Sequence, residues 1–132
     1  MKNIFFVVLM GAVMSSFSGE INKNKKPKVL ASQLIIPDEQ LPGLKKKGLA
    51  GSGEAAFRLW EYFSMVKLEN KEASYWLLIG AENGHAIAQL NYAYELAEKK
   101  NEIDRERARF WARRAAENGL AEDAKIFFKE YP

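Results

Sequence analysis

Two stretches of the chain repeat each other 35 residues apart: Ala73 to Gly84 (ASYWLLIGAENG) and Ala108 to Gly119 (ARFWARRAAENG). Trp76 coincides with Trp111, Ala81 with Ala116 and Gly84 with Gly119, together with the Glu-Asn pair before each glycine. Similarity at a fixed period of this length narrows the fold more than composition does. A unit that cannot bury its own apolar face must stack on a copy of itself. Stacked units present surfaces rather than an enclosed pocket, so function is expected on a surface.

Apolar residues around these stretches recur with helical spacing. Ala55, Leu59 and Phe63 mark one face, with Ser52 as the expected N-cap and Glu54 in the first turn. Asn70 is expected to cap a second helix that turns Ala73, Trp76, Leu77, Gly80 and Ala81 inward. That helix should stop at Asn83-Gly84, with glycine in the left-handed position beyond the cap. Ala88, Tyr92 and Leu96 then repeat the first helix. Asp104 is expected to cap the next, with Ala108, Trp111, Ala112, Ala115 and Ala116 as its packing stripe and Asn118-Gly119 as its end. A last helix, Ala121 to Tyr131, would cover the open end with Ala124, Phe127 and Phe128. The expected fold class is all-α, a short α/α superhelical solenoid of about two helix pairs with a terminal capping helix.

Upstream the character changes. Lys2, the apolar run Ile4 to Met14 and the small residues of Ser16-Phe17-Ser18 have the layout of a cleaved secretory signal over residues 1–18. The run is much shorter than the ~20 residues of a membrane-spanning helix, so no transmembrane segment is expected. Residues 19–37 read as a flexible basic leader that ends in an extended strap, Val29 to Ile36. The repeat domain is assigned to residues 38–132, and Pro37 to Gly51 is expected to be a short, poor helix interrupted by Pro42, Gly43 and Gly48.

The chain has no cysteine, so an acylated anchor, disulfide staples and thiolate zinc sites are all excluded. Export without disulfides points to a periplasm, with secretion to the outside as the alternative. The formal net charge is +3, but the basicity sits upstream: residues 19–49 hold seven lysines against Glu20, Asp38 and Glu39. Residues 50–132 hold twelve basic and fourteen acidic side chains, so no nucleic-acid partner is expected.

Gly84-His85-Ala86-Ile87-Ala88-Gln89-Leu90-Asn91-Tyr92, followed by Arg107-Ala108-Arg109-Phe110-Trp111-Ala112-Arg113-Arg114-Ala115-Ala116-Glu117-Asn118-Gly119, resembles the Sel1-like repeat, a relative of the tetratricopeptide repeat. The resemblance covers residues 51–119 in outline, with Gly51, Gly84, Gly119, Trp76, Trp111, Ala81 and Ala116 as its structural positions. It departs from the family pattern at Trp60 and Ala93, where glycine is usual, and at Lys99 to Ile103, where a glycine-rich loop is usual. The resemblance implies an α/α superhelix that binds other proteins. Short exported members of this kind also resemble immunity proteins that neutralise antibacterial lipase or phospholipase toxins.

Little in the sequence supports catalysis. His85 is the only histidine, and in the repeat pattern its role is capping and packing. Ser64 and Lys67 form a Ser-x-x-Lys pattern, but neither Ser-Asp-Asn nor Lys-Thr-Gly occurs to complete a β-lactamase-type site. Glu95, Glu98 and Glu102 read as a solvated face beside Lys99 and Lys100. The chain is therefore expected to be no enzyme and to need no metal or cofactor. For partner binding the candidates are Trp60, Tyr62 and Tyr94, which fall off the apolar stripes, and Arg109 and Arg113 on the Arg105-Arg109-Arg113 line. Two functions are compatible with these readings: immunity against a secreted, periplasm-acting toxin, or an envelope adaptor or regulatory scaffold.

Overall fold

The computed structural model describes residues 32–132. The expected signal and the leader up to residue 31 lie outside the described residues. From Leu41 onward they form six α-helices: α1 (Leu41–Leu49), α2 (Gly53–Glu61), α3 (Asn70–Glu82), α4 (Ala86–Ala97), α5 (Glu102–Ala115) and α6 (Ala121–Glu130). The fold is all-α. None of these helices is long and apolar enough to cross a membrane.

The repeat is written into the backbone at three joints. Gly51, Gly84 and Gly119 have φ of +107°, +82° and +106°, the left-handed region that L side chains avoid. At Gly84 the joint is a complete Schellman turn: the Gly84 N–H donates to the Ala81 carbonyl at 3.1 Å and the His85 N–H to the Gly80 carbonyl at 3.0 Å. At Gly51 the same bonds run from Gly51 to Gly48 at 3.2 Å and from Ser52 to Lys47 at 3.1 Å. The next helix starts at once. Ser52 Oγ accepts the Ala55 N–H at 3.1 Å, and His85 Nδ1 accepts the Ala88 N–H at 3.2 Å in the equivalent place.

These joints divide the molecule into a half unit (α1), two full pairs (α2 with α3, α4 with α5) and a second half unit (α6). Helix α2 packs on α3 and α4 on α5, α3 against α4 joins the pairs, and α1 and α6 close the two ends. Small residues permit the close crossings. A side chain at Gly80 would stand 3.1 Å from Ala88 Cβ, and one at Gly48 only 2.9 Å from the Trp76 ring. Gly48 is therefore the seat of Trp76, and helix α1 is held in place by a tryptophan of α3.

Several expectations are corrected at the helix boundaries. The segment before Gly51 is a regular helix: Pro42 sits in its first turn, where no N–H is missed, and Gly43 and Gly48 are accommodated within it. Helix α3 is entered from Glu69 with no side-chain cap, so Asn70 is its first residue and not its N-cap. Helix α5 is capped by Asn101, whose Oδ1 accepts the Asp104 N–H at 2.9 Å, three residues ahead of the expected cap at Asp104. Residues 32–34 are helical, so the strap is not extended there, while Ile36 is buried in the core. Helix α2 also runs on into a wider π-turn at Tyr62–Val66, closed by Lys67 N–H to the Tyr62 carbonyl at 3.0 Å.

Candidate interaction surface

Trp76, Trp111 and Ala81 are buried, and Ala116 is half-buried. The two tryptophans sit in different electrostatic surroundings because one position of the repeat has changed sign. In the first pair Glu72 Oε2 accepts the Trp76 indole N–H at 3.2 Å. In the second, Arg107 stands 35 residues on from Glu72 and lays its guanidinium 5.8 Å from the Trp111 ring centroid. An arginine cannot accept a hydrogen bond, and Trp111 Nε1 is left buried without a partner among the described residues, as is Asn91 Nδ2.

Gln89 is the polar clamp between the pairs. It is almost fully buried, donates from Nε2 to the Ala81 carbonyl at 3.1 Å and accepts from Asn118 Nδ2 at 2.8 Å. One side chain of α4 thereby ties the end of α3 to the end of α5. His85 joins the same region from above. Its Nδ1 accepts a backbone N–H, so Nε2 carries the ring proton and donates to Glu54 Oε2 at 3.2 Å. The ring stacks on Phe57 with centroids 4.1 Å apart. Burial pushes the His85 pKa down, opposed by the Glu54 carboxylate. The histidine thus has the capping and packing role that the repeat pattern implied for it.

The aromatic candidates for partner contact are core residues. Trp60, Tyr62 and Tyr94 are each 3–4% exposed. Trp60 stacks on Phe57 with centroids 5.0 Å apart, and Tyr62 lies edge-on to Phe63. Tyr94 is covered by Phe127 of the last helix and by Tyr131 just beyond it, and burial pushes its phenol up to about 12. Arg109 is engaged inside the molecule, bonded to Glu106 and to the main-chain oxygen of Pro132. Arg113 is exposed and forms no ion pair with a described residue, so of the five it alone stays available as a contact.

The reactive patterns are dispersed. Ser64 Oγ donates to the Glu61 carbonyl at 3.3 Å, while Lys67 pairs with the Tyr62 hydroxyl and has its ring 5.6 Å away. Glu98 accepts the Tyr131 hydroxyl at 2.7 Å, and burial raises the Glu95 pKa although Ser74 bonds to it. Among the described residues no three His, Cys, Asp or Glu side chains are grouped so as to hold a metal ion.

The sequence signal that was missed is a second, weaker periodicity. Leu68 and Ile103, and Tyr75 and Phe110, are also 35 residues apart, and all four are exposed. As apolar residues they draw no attention in a helical pattern.

The geometry defines a class of protein, a short array of stacked helix pairs. No family model matches the chain, and no solved structure matches it. It is similar to the uncharacterized protein YibG of Escherichia coli (strain K12), 31% identical over 99 residues. That match covers 72% of this chain and 64% of YibG, so it spans less than two thirds of the relative's length.

Proposed function

We propose that the protein is an exported Sel1-like module that works by binding another protein, and that its task is immunity: it occludes a toxin that acts in the periplasm. The observation that carries the repeat reading is the threefold joint at Gly51, Gly84 and Gly119, followed in two cases by a side-chain cap at the same place, Ser52 and His85. The Gln89 clamp, which locks consecutive pairs into one stiff unit, fits a pre-organised binding surface. The scattered reactive side chains fit action by contact rather than by catalysis.

Immunity requires that the protein meet its target where the target acts, so the expected signal over residues 1–18 is part of the mechanism. The test expresses the neighbouring toxin gene in the periplasm with the protein, without it, and with a version that lacks residues 2–18. Protection that depends on the signal supports immunity. Absence of protection against every adjacent gene product removes it and leaves the adaptor, which would be recognised by several weak partners instead of one tight one.

A further inference from the structure

Four of the large apolar side chains that remain exposed form two pairs related by the 35-residue repeat. Leu68 and Ile103 are 74% and 79% exposed, and Tyr75 and Phe110 are 50% and 40% exposed. Each ring meets the buried tryptophan beside it in the same way: Tyr75 and Trp76 have centroids 5.1 Å apart at 80°, and Phe110 and Trp111 have centroids 5.1 Å apart at 76°. The two rings thus occupy one position on the outward faces of α3 and α5. Ile103 lies two turns before Phe110 on the same stripe of α5, and Leu68 stands just before α3 at the corresponding place. Large apolar side chains repeated on one surface mark a contact.

The charges beside them say what covers it. Residues 67–82 and 101–119 together carry seven basic and seven acidic side chains, so the face selects neither an acidic nor a basic partner. The balance is struck between the units, not within them. Residues 67–82 hold two lysines against three glutamates, and residues 101–119 hold five arginines against four acids. Around the apolar positions the sign reverses from one unit to the next. Lys67 beside Leu68 becomes Glu102 beside Ile103, while Lys71 and Glu72, one turn before the first ring, become Glu106 and Arg107 before the second. Glu69 and Asp104 keep their sign, but they lie about 120° round the helix from the rings. Glu82 and Glu117 keep theirs as well, yet Arg113 stands one turn before Glu117. Glu82 and Arg113 are both exposed and have no ion pair among the described residues.

A face on which one unit repeats the apolar pattern of the other with the charges reversed is complementary to itself. Short joints reverse the chain at each helix, so α3 and α5 run in the same direction. A two-fold axis parallel to them and midway between them lays α3 of one copy on α5 of the other at equal height, twice over, as a closed two-fold contact requires. We propose that the outer faces of α3 and α5 pair two copies of this chain in that crossed arrangement. Leu68 and Tyr75 of one copy seat on Ile103 and Phe110 of the other, Lys71 faces Glu106, and Glu82 reaches Arg113. The apolar residues supply the attraction and the charges fix which unit lies on which. Each face is two helices wide and about 20 Å long, so the dimer belongs to the small, reversible class. It goes beyond the immunity reading and does not depend on it.

The test is sedimentation of the purified full chain from about 1 µM to about 1 mM. A monomer–dimer equilibrium is expected, weakened at least tenfold when Leu68→Ser and Ile103→Ser are combined, with circular dichroism unchanged. Arg113→Glu and Glu82→Arg should each weaken it and together restore it, because the pair is then exchanged and not lost. Cross-linking reads the crossing. The chain has no cysteine, so Lys71→Cys and Glu106→Cys each supply a single thiol. A short bismaleimide should join the two variants to each other in a mixture and neither to itself. A chain that stays monomeric throughout overturns the proposal, as does a dimer indifferent to the serine substitutions or one in which like positions are joined. In the cell, photoreactive p-benzoylphenylalanine in place of Tyr75 should attach to a second copy of the chain; attachment to a different protein or to lipid instead would overturn it.

Discussion

His85 shows how much a single side chain carries in a small array. The neutral ring accepts the Ala88 N–H, whereas a protonated ring presents a donor to a donor. Because burial lowers its pKa, the unfolded chain takes up a proton that the folded chain refuses whenever the pH lies between the two values. Its contribution is complete above the ordinary value of about 6.5 and is lost as the pH falls towards the lowered one. Glu61 and Glu95, raised by burial, act in the opposite sense and lose stability as the pH rises through their folded values. His85→Ser, which copies the cap at Ser52 but gives up the stacking on Phe57, should reduce the decline of the melting temperature between about pH 7 and pH 5; an unchanged decline would remove the histidine as its cause. Arg107→Glu gives the orphaned Trp111 indole the acceptor that Trp76 already has. Its expected effect is stabilisation of up to about 1 kcal/mol in chemical denaturation, and a loss of that size would show that the arginine stacking matters more. At this scale the repeated residues were legible because both copies keep the same identity. Tyr94 was not, since a helical wheel shows one helix and its cover comes from Phe127 of α6.

Helix boundaries follow from where the left-handed residues fall. Gly84 has open space around its Cβ position, so Gly84→Ala isolates the backbone cost and should destabilise by about 1–2 kcal/mol. Gly43, equally open but inside α1, should respond with the opposite sign, and Gly43→Ala should raise stability by about 0.5–1 kcal/mol. Equal effects in thermal melts would contradict the assigned conformations. Helix α1 was the least legible element. Its register survives, since Gly51 precedes Gly84 by 33 residues, but its Pro and Gly content resembles that of a loop. Proline in a first turn is harmless, and Gly48 is the seat of Trp76, so the features that argued against a helix are the ones that fit it into the array. The cap at Asn101 and the uncapped start after Glu69 were missed because α5 starts nearly a turn earlier in its unit than α3 does, a shift that the identical residues near the helix ends do not reveal.

For the molecule as a whole, stability depends on neighbours touching neighbours. Trp76→Ala removes the ring that fills the crossing over Gly48 and should cost about 3–5 kcal/mol, a large part of the ~5–15 kcal/mol that a domain of this size has. Its melting transition should fall steeply, and a melt like that of the wild type would refute the repeat packing. Arg109→Glu, by contrast, breaks only exposed contacts, the latch to Pro132 and the pair with Glu106, and should change stability by no more than about 1 kcal/mol. The all-α array could be recognised from periodicity alone, but the half units at its two ends became visible only when the joints were located. Those joints share one backbone conformation, so they are natural places for recombination. A gene in which the block Ser52 to Gly84 is duplicated in tandem would encode a chain one pair longer, with every splice falling between a glycine and a capping residue. The length of the protein is in that sense a setting, open to lengthening by inheritance or by design, while the chemistry of each crossing stays as it is.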